Sequence, residues 1–392
     1  MDYVNRVIEL EKKISKKSVL LIGPRLTGKT SYIRNQLQAE TVLQWNLLKA
    51  KYRNRAQENP DSLEEEIREL NINSESGVVV IDEIQKAPML LDTVHNLIEE
   101  QGIRFLLTGS SARKLKATGV NLLGGRASIV YMHPFTYPEI SSFKKDYSLE
   151  DVFEKGMIPS AWSEEDAEEF FEDYTEAYLQ DEIAREGALR NLPAFAGFLR
   201  LSAISSGEEL NYSNIGNDIG MTSASVCNWY QLLEDTLLGF RIMPWTKSVK
   251  RKASKTAKYY MFDVGLTRYL SKLDIPKEDQ SDYGRLFENY IANELRSWKD
   301  YNGIKEEISF WRSLKGEYEV DFLIGDDIAI EVKATKKVLP KHLKGLKALS
   351  EEKPFKQLIV VCRAEIPRKT EEGIRIMPWK YFLEKLWNGS LC

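Results

Sequence analysis

Short apolar runs recur through the first 140 residues, near 18–22, 41–45, 78–81, 104–107 and 128–131, and stretches of helical spacing separate them. Runs of this length bounded by polar turns read as buried strands, and their alternation with helices specifies a parallel α/β sheet. Within 91–98 the apolar positions fall on one helical face, which leaves Asp92 and His95 on the solvent side, and 61–70 reads as an acidic surface helix. From 141 to 200 the pattern becomes helical and rich in Glu, with Phe170, Phe171 and Tyr174 spaced as a core stripe. Between 210 and 238 two short helices are expected to meet at Gly220, as in a helix-turn-helix. Strands near 239–245 and 258–262 would then make a wing of the loop between them. The C-terminal part again mixes strands and helices, so four segments are expected: 1–140, 141–200, 201–270 and 271–392.

The first strand runs directly into Gly23, Pro24, Arg25, Leu26, Thr27, Gly28, Lys29 and Thr30, followed by Ser31. This is G-x-x-x-x-G-K-T, a phosphate-cradling loop. Gly23 and Gly28 let backbone N–H groups close on phosphate oxygens, Lys29 reaches the β- and γ-phosphates, and Thr30 offers its hydroxyl to Mg²⁺. The run 78–81 ends in Asp82 and Glu83, two acids at the sheet edge where ligands of open α/β folds collect. Asp82 is expected to hold the Mg²⁺ shell with Thr30, and Glu83 to orient and deprotonate the attacking water. The strand 104–107 delivers Thr108, the candidate sensor of that water, with Ser110 and Ser111 balanced between function and helix capping. Arg126, in the Gly-rich turn that starts at Leu123, is the candidate arginine finger for a neighbouring subunit, a role that requires a homo-oligomer. Arg185 or Arg190 is the candidate lid arginine.

A second catalytic candidate lies in the stretches 318–324 and 328–333, which alternate as strands around Gly325, Asp326 and Asp327. If these three residues form the hairpin loop, Ile324 meets Ile328, Phe322 meets Ile330 and Val320 meets Val332 on an apolar face. Asp321 then opposes Glu331, and Lys333 shares their face. Two carboxylates with a lysine alongside are suited to bind Mg²⁺ and activate water against a phosphodiester, and Glu288 on a preceding amphipathic helix is placed to assist.

Composition narrows the partners. The chain has 392 residues, 43% hydrophobic and 29% charged, with a formal net charge of −4. A uniformly basic nucleic-acid coat is excluded, so DNA contact needs a local patch. Lys247, Lys250, Arg251, Lys252, Lys255 and Lys258 supply one, with no acid among them. Three cysteines without metal-type spacing and the lack of a long apolar stretch point to a reducing cytoplasm and no membrane span.

Taken in order, the P-loop, Val80 to Gln85, Leu107 to Ser111, Gly125 to Ala127, Phe262 to Gly265, Phe287 with Glu288, and Glu319 to Asp321 with Glu331 to Lys333 resemble a known group. These are the prokaryotic AAA+ ATPases that join a P-loop domain to a C-terminal region first catalogued as a domain of unknown function. The resemblance implies ATP rather than GTP as the nucleotide. It also implies an AAA+ core over 1–140, a helical lid over 141–200, a winged helix-turn-helix over 201–270, and a domain similar to PD-(D/E)XK restriction endonucleases over 271–392. The metal ligands of that last domain would map onto Asp321 and Glu331, assisted by Lys333 and Glu288. The basic loop has no counterpart in the resemblance, so its DNA role rests on charge. The leading expectation is an ATPase that binds and remodels DNA, with a nuclease-like domain that cuts or grips. The alternative is a nucleotide-driven signalling switch whose C-terminal domain is a scaffold for protein partners.

Overall fold

A computed structural model describes residues 3–110, 125–178 and 191–391. Ser111, Leu123, Gly124, Arg185 and Arg190 lie outside the described residues. The chain divides into two compact units: residues 1–135 with 235–237, and residues 136–234 with 238–392.

The first unit holds five strands, β1 (Ser18–Ile22), β2 (Thr41–Asn46), β3 (Val78–Asp82), β4 (Arg104–Gly109) and β5 (Ala127–Tyr131), in the order β2-β3-β4-β1-β5. All neighbours are parallel, with Leu21 opposite Thr108 and Ile81 opposite Leu107. β1, β3 and β4 are buried almost end to end because helices cover both faces, which explains their continuous apolar runs. Ile22, Ile81, Phe105 and Leu107 share one core with Val94 and Leu97 of the helix Leu90–Gln101. Since the strands are parallel, Gly23, Asp82 and Gly109 leave the sheet at the same edge.

In the second unit, helices Tyr212–Ile219 and Ser223–Asp235 are joined at Gly220, which takes the left-handed conformation at φ +67°. Through Tyr230 and its neighbours they pack in a cluster with Phe171, Phe198 and Tyr259. The strands β6 (Gly239–Pro244) and β7 (Lys258–Met261) pair antiparallel, as expected for a wing, yet β6 also pairs parallel with β8 (Ile308–Arg312). The hairpin is therefore the edge of an eight-stranded sheet that includes β9 (Glu319–Ile324), β10 (Ile328–Lys333), β11 (Gln357–Cys362), β12 (Arg368–Lys369) and β13 (Arg375–Pro378). Among the described residues no helix is long and apolar enough to cross a membrane.

Packing accounts for Asp263 and Gly265. The buried Asp263 carboxylate accepts from the Leu266 N–H at 2.8 Å, capping the helix Val264–Leu270, and from the Met157 N–H at 2.6 Å. Gly265 lies so close to the 156 backbone that a Cβ would stand 2.5 Å from Gly156 N.

Burial also creates a pH dependence. Glu294, on the helix Ser281–Asn302, accepts from the Tyr137 N–H and the Trp387 Nε1–H, both at 2.7 Å, and burial pushes its carboxyl up to about 8. A raised folded-state value means that the folded chain keeps a proton the unfolded chain gives up near 4.5, the ordinary value. That contribution is complete below about pH 4.5, falls as pH rises and is gone above about pH 8. Thermal unfolding between pH 5 and 9 should show a decline in the wild type that Glu294→Gln largely flattens.

Candidate nucleotide site and a buried acid–lysine cluster

At the C-terminal edge of the first sheet, the P-loop closes over the end of β1. Gly23 N donates to Gly109 O at 3.2 Å, and a Cβ on Gly23 would stand 2.4 Å from the carbonyl oxygen of Met132, so only glycine fits. Gly28, at φ +92°, leads into the helix Lys29–Gln36. The Lys29 ammonium is buried and donates to Gly23 O at 2.7 Å and Pro24 O at 2.9 Å, and the Thr27 hydroxyl also donates to Pro24 O, at 2.8 Å. Arg25, Leu26 and Ser31 complete the loop and the first helical turn, with Leu26 at φ +60°.

Asp82 is fully buried and is met from three directions. Thr30 Oγ1 donates to its Oδ2 at 2.9 Å, Asn46 Nδ2 donates to the same oxygen at 3.3 Å, and Thr108 Oγ1 donates to Oδ1. The Thr108 hydroxyl also accepts from the Glu83 N–H at 3.0 Å, so it ties β3 to β4. Glu83 sits at φ +63°, a costly conformation for a residue with a Cβ and one that gathers at functional sites. Its Oε2 accepts from Gln85 Nε2 and from Ser110 Oγ at 3.4 Å. Ser110 thus joins the acid. Gln85, quoted only as part of a motif, is a contact the sequence reading missed. Arg126 pairs with Glu99 of the Leu90–Gln101 helix.

Arg6 was also missed. It is 5% exposed and donates to Thr27 O, to His133 O at 2.6 Å and to Pro134 O at 3.1 Å. The signal was legible: Val4, Arg6, Ile8 and Leu10 are the buried members of an alternating segment, and Arg6 is the one charge in an otherwise apolar row.

In the second unit β9 and β10 pair as parity requires, Ile324 with Ile328 and Phe322 with Ile330, where the pairing ends. Beyond it the Asp321 carboxylate accepts from the Val332 N–H at 2.7 Å. Lys333 Nζ lies 2.6 Å from Glu331 Oε1 and 3.6 Å from Asp321 Oδ2, so the three expected residues do come together. Burial, and then the charge of Asp321, push Glu331 well above the usual carboxyl range, and its buried Oε2 has no hydrogen-bond partner. Burial works against a charged Lys333, but Asp321 and Glu331 outweigh it and push its ionisation up.

Glu288, expected to complete a metal site, is instead held by β7: Tyr260 OH donates to its Oε1 at 2.6 Å and Lys258 Nζ lies 3.1 Å from the same oxygen. Lys258 is 3% exposed and its second partner is Glu319 Oε1 at 2.6 Å. Glu319 shares a strand face with Asp321, a parity the sequence offered and the reading passed over. The donor set does not fit a metal as arranged. Ammonium groups neutralise the carboxylates, and among the described residues no group of three or more His, Cys, Asp or Glu is placed to hold an ion.

The basic loop differs from a free cationic wing. Lys247 pairs with Asp326 at 2.8 Å, Arg251 pairs with Glu351 at 2.7 Å and with Glu352 at 2.9 Å, and Lys258 is the buried cation just described. The Glu352 carboxylate, buried, also accepts from the Val249, Lys250 and Arg251 N–H groups at 2.8, 2.6 and 3.4 Å. The loop is thereby pinned to its own unit, and Lys250, Lys252 and Lys255 are exposed, as is Lys247 despite its pairing with Asp326.

Residues 15–141, within and just beyond the first unit's main segment, match the family described as AAA domain. Residues 146–277 match a domain of unknown function (DUF8612), and residues 283–382 match another (DUF4143). Uncharacterized protein MJ1637 of Methanocaldococcus jannaschii is 24% identical over 428 residues, covering 97% of this chain and 86% of its own. Uncharacterized protein Rv2008c of Mycobacterium tuberculosis is 23% identical over 328 residues, 81% of this chain and 70% of its own. Among solved structures, the chain is similar to the Aeropyrum pernix ORC1 protein in complex with DNA, at 15% identity and a TM-score of 0.25, covering 68% of this chain and 92% of that one. It is also similar to the ORC2 protein of the same organism in its ADP form, at 15% identity and a TM-score of 0.32, covering 57% and 81%. At these scores the likeness carries no weight for fold or function.

The Lys258 cluster makes a stability prediction. Removing one partner of a buried pair leaves an uncompensated charge, so Lys258→Met should cost about 3–5 kcal/mol in urea unfolding. Adding Glu288→Gln should recover part of that loss, and independent, additive losses would show that the two residues are not coupled.

Proposed function

We propose that this protein is a Mg²⁺-dependent ATPase whose second unit binds DNA through its pinned basic loop. The observation that carries the ATPase reading is the 2.9 Å contact between Thr30 Oγ1 and Asp82 Oδ2, which places two hard oxygens, one from the phosphate loop and one from the acidic strand, side by side. That donor set fits Mg²⁺, which takes few protein oxygens and fills its octahedron with water and phosphate. Thr30 and Asp82 would hold the ion, and it would supply positive charge against the phosphates.

The remaining work belongs to the chain. Lys29, already buried against the loop carbonyls, exchanges those contacts for β- and γ-phosphate oxygens, and the N–H groups of residues 25–31 complete the cradle. Glu83 orients the attacking water and takes its proton, with Gln85 and Ser110 setting the direction of the carboxylate. Thr108 acts by fixing Asp82 and the Glu83 backbone. Arg126 serves as a finger toward a neighbouring copy once it leaves Glu99.

DNA binding is supported by Lys250, Lys252 and Lys255, exposed on a loop whose shape Glu352 sets, so the entropy of ordering it is already lost before a phosphate arrives. Asp321, Glu331 and Lys333 belong in this reading to a gripping module, with no cleavage step assigned to them. The neutralisation of Lys247, Arg251 and Lys258 within their own unit favours a second reading, a nucleotide-driven switch whose second unit serves protein partners.

Turnover measurements separate these readings. ATP hydrolysis should fall by at least about 100-fold in Lys29→Ala and Glu83→Gln. Duplex, single-stranded or forked DNA should stimulate the wild type. Reversing Lys250, Lys252 and Lys255 to Glu should weaken DNA binding by about tenfold or more at low salt and flatten its salt dependence. Hydrolysis indifferent to every DNA, with binding unchanged by the reversal, would leave the switch reading standing.

A further inference from the structure

We infer that Arg6 is a positioning residue for phosphate binding: it fixes the Thr27–Gly28 peptide so that the Gly28 N–H faces the phosphates. The inference rests on the ATP reading above and adds a residue outside the phosphate loop to its machinery.

The geometry begins with the anchoring of the segment that carries Arg6. The Tyr3 hydroxyl donates to Gln36 Oε1 at 2.6 Å, the Arg6 N–H donates to the same oxygen at 2.7 Å, and Gln36 Nε2 returns a bond to Arg6 O at 3.3 Å. Farther along, Tyr32 OH accepts from the Leu10 N–H at 3.3 Å and donates to Glu11 Oε1 at 2.9 Å. Gln36 and Tyr32 belong to the Lys29–Gln36 helix, which springs from the phosphate loop, so the segment is fastened to the element whose N-terminus must meet the phosphates. From this anchor the buried guanidinium reaches Thr27 O on one side and His133 O and Pro134 O on the other, with its carbon 5.4 Å from the Phe135 ring centroid.

In a planar trans peptide the C=O and the following N–H point in opposite directions. Anchoring the Thr27 oxygen therefore sets the direction of the Gly28 N–H, and a charged donor also polarises that peptide so that its N–H carries more positive charge. Gly28 stands at φ +92°, where its backbone has unusual freedom, and a Cβ there would be 3.4 Å from Arg6 Nη1. The residue most able to flip is thus the one that Arg6 restrains.

The test is calorimetric titration of the full chain with a non-hydrolysable ATP analogue and Mg²⁺, beside steady-state hydrolysis. Wild type, Arg6→Lys and Arg6→Ala are compared after circular dichroism confirms native content. Loss of a charge-assisted bond should raise Kd about tenfold in Arg6→Ala and less in Arg6→Lys, which keeps the charge but not the fork. KM should rise in parallel while kcat stays within about twofold, since the contact serves binding before and during the reaction. Should Arg6→Ala fail to fold, a severalfold rise in Arg6→Lys carries the inference alone. Either folded variant binding as tightly as wild type, or losing kcat at unchanged KM, overturns it. Wild type that takes up no analogue would instead sink the ATP reading and this inference together.

Discussion

A carboxylate buried at the end of a strand must be paired or solvated, and Asp82 meets that requirement through hydroxyls and an amide from three other elements. The pairing depends on parallel register. Only because β1, β4 and β3 end at one edge do Thr30, Thr108 and Asp82 come within hydrogen-bond distance. The hydrogen bonds that satisfy the acid then place the loop that follows β1 and the acid that follows β3, so the requirement for stability and the arrangement for phosphate chemistry share the same atoms.

The second unit meets the same constraint differently. Four carboxylates, Glu288, Glu319, Asp321 and Glu331, are gathered against the sheet, and two lysines from β7 and β10 answer them. A buried array of this kind contributes little net stability over an apolar core, but it penalises every arrangement in which one partner is missing. Lys258 thus locks the β6–β7 hairpin to the Ser281–Asn302 helix and to β9, and makes the segments expected as a middle and a C-terminal domain parts of one packed unit. The same lock binds Glu288 and leaves Asp321 and Glu331 to Lys333.

Much of this was legible in the sequence wherever the determinant was local or periodic. The buried strands announced themselves as short apolar runs, the phosphate loop by glycines at fixed spacing, and the hairpin by an alternation whose parity brought Asp321, Glu331 and Lys333 to one face. Long-range charge pairing was not legible. Lys258 reads as the last of six cations in a loop, and only folding shows that it is buried while Lys250 stays in water. Glu352 lies about a hundred residues from the amides it accepts from, and no local pattern links them. Arg6 stands between these cases, since its place in a buried alternating row was readable but its partners were not.

The central question for this protein is whether the Thr30 hydroxyl and the Asp82 carboxylate, 2.9 Å apart, are the oxygens that organise a divalent cation beside a triphosphate. Electron paramagnetic resonance of Mn²⁺ added with a non-hydrolysable ATP analogue measures this directly, because phosphorus hyperfine coupling reports phosphate oxygens on the ion. One tightly held Mn²⁺ with phosphorus coupling is expected in the wild type, lost or greatly weakened in Asp82→Asn. A Mn²⁺ signal with no phosphorus coupling, or one indifferent to Asp82→Asn, would contradict that role.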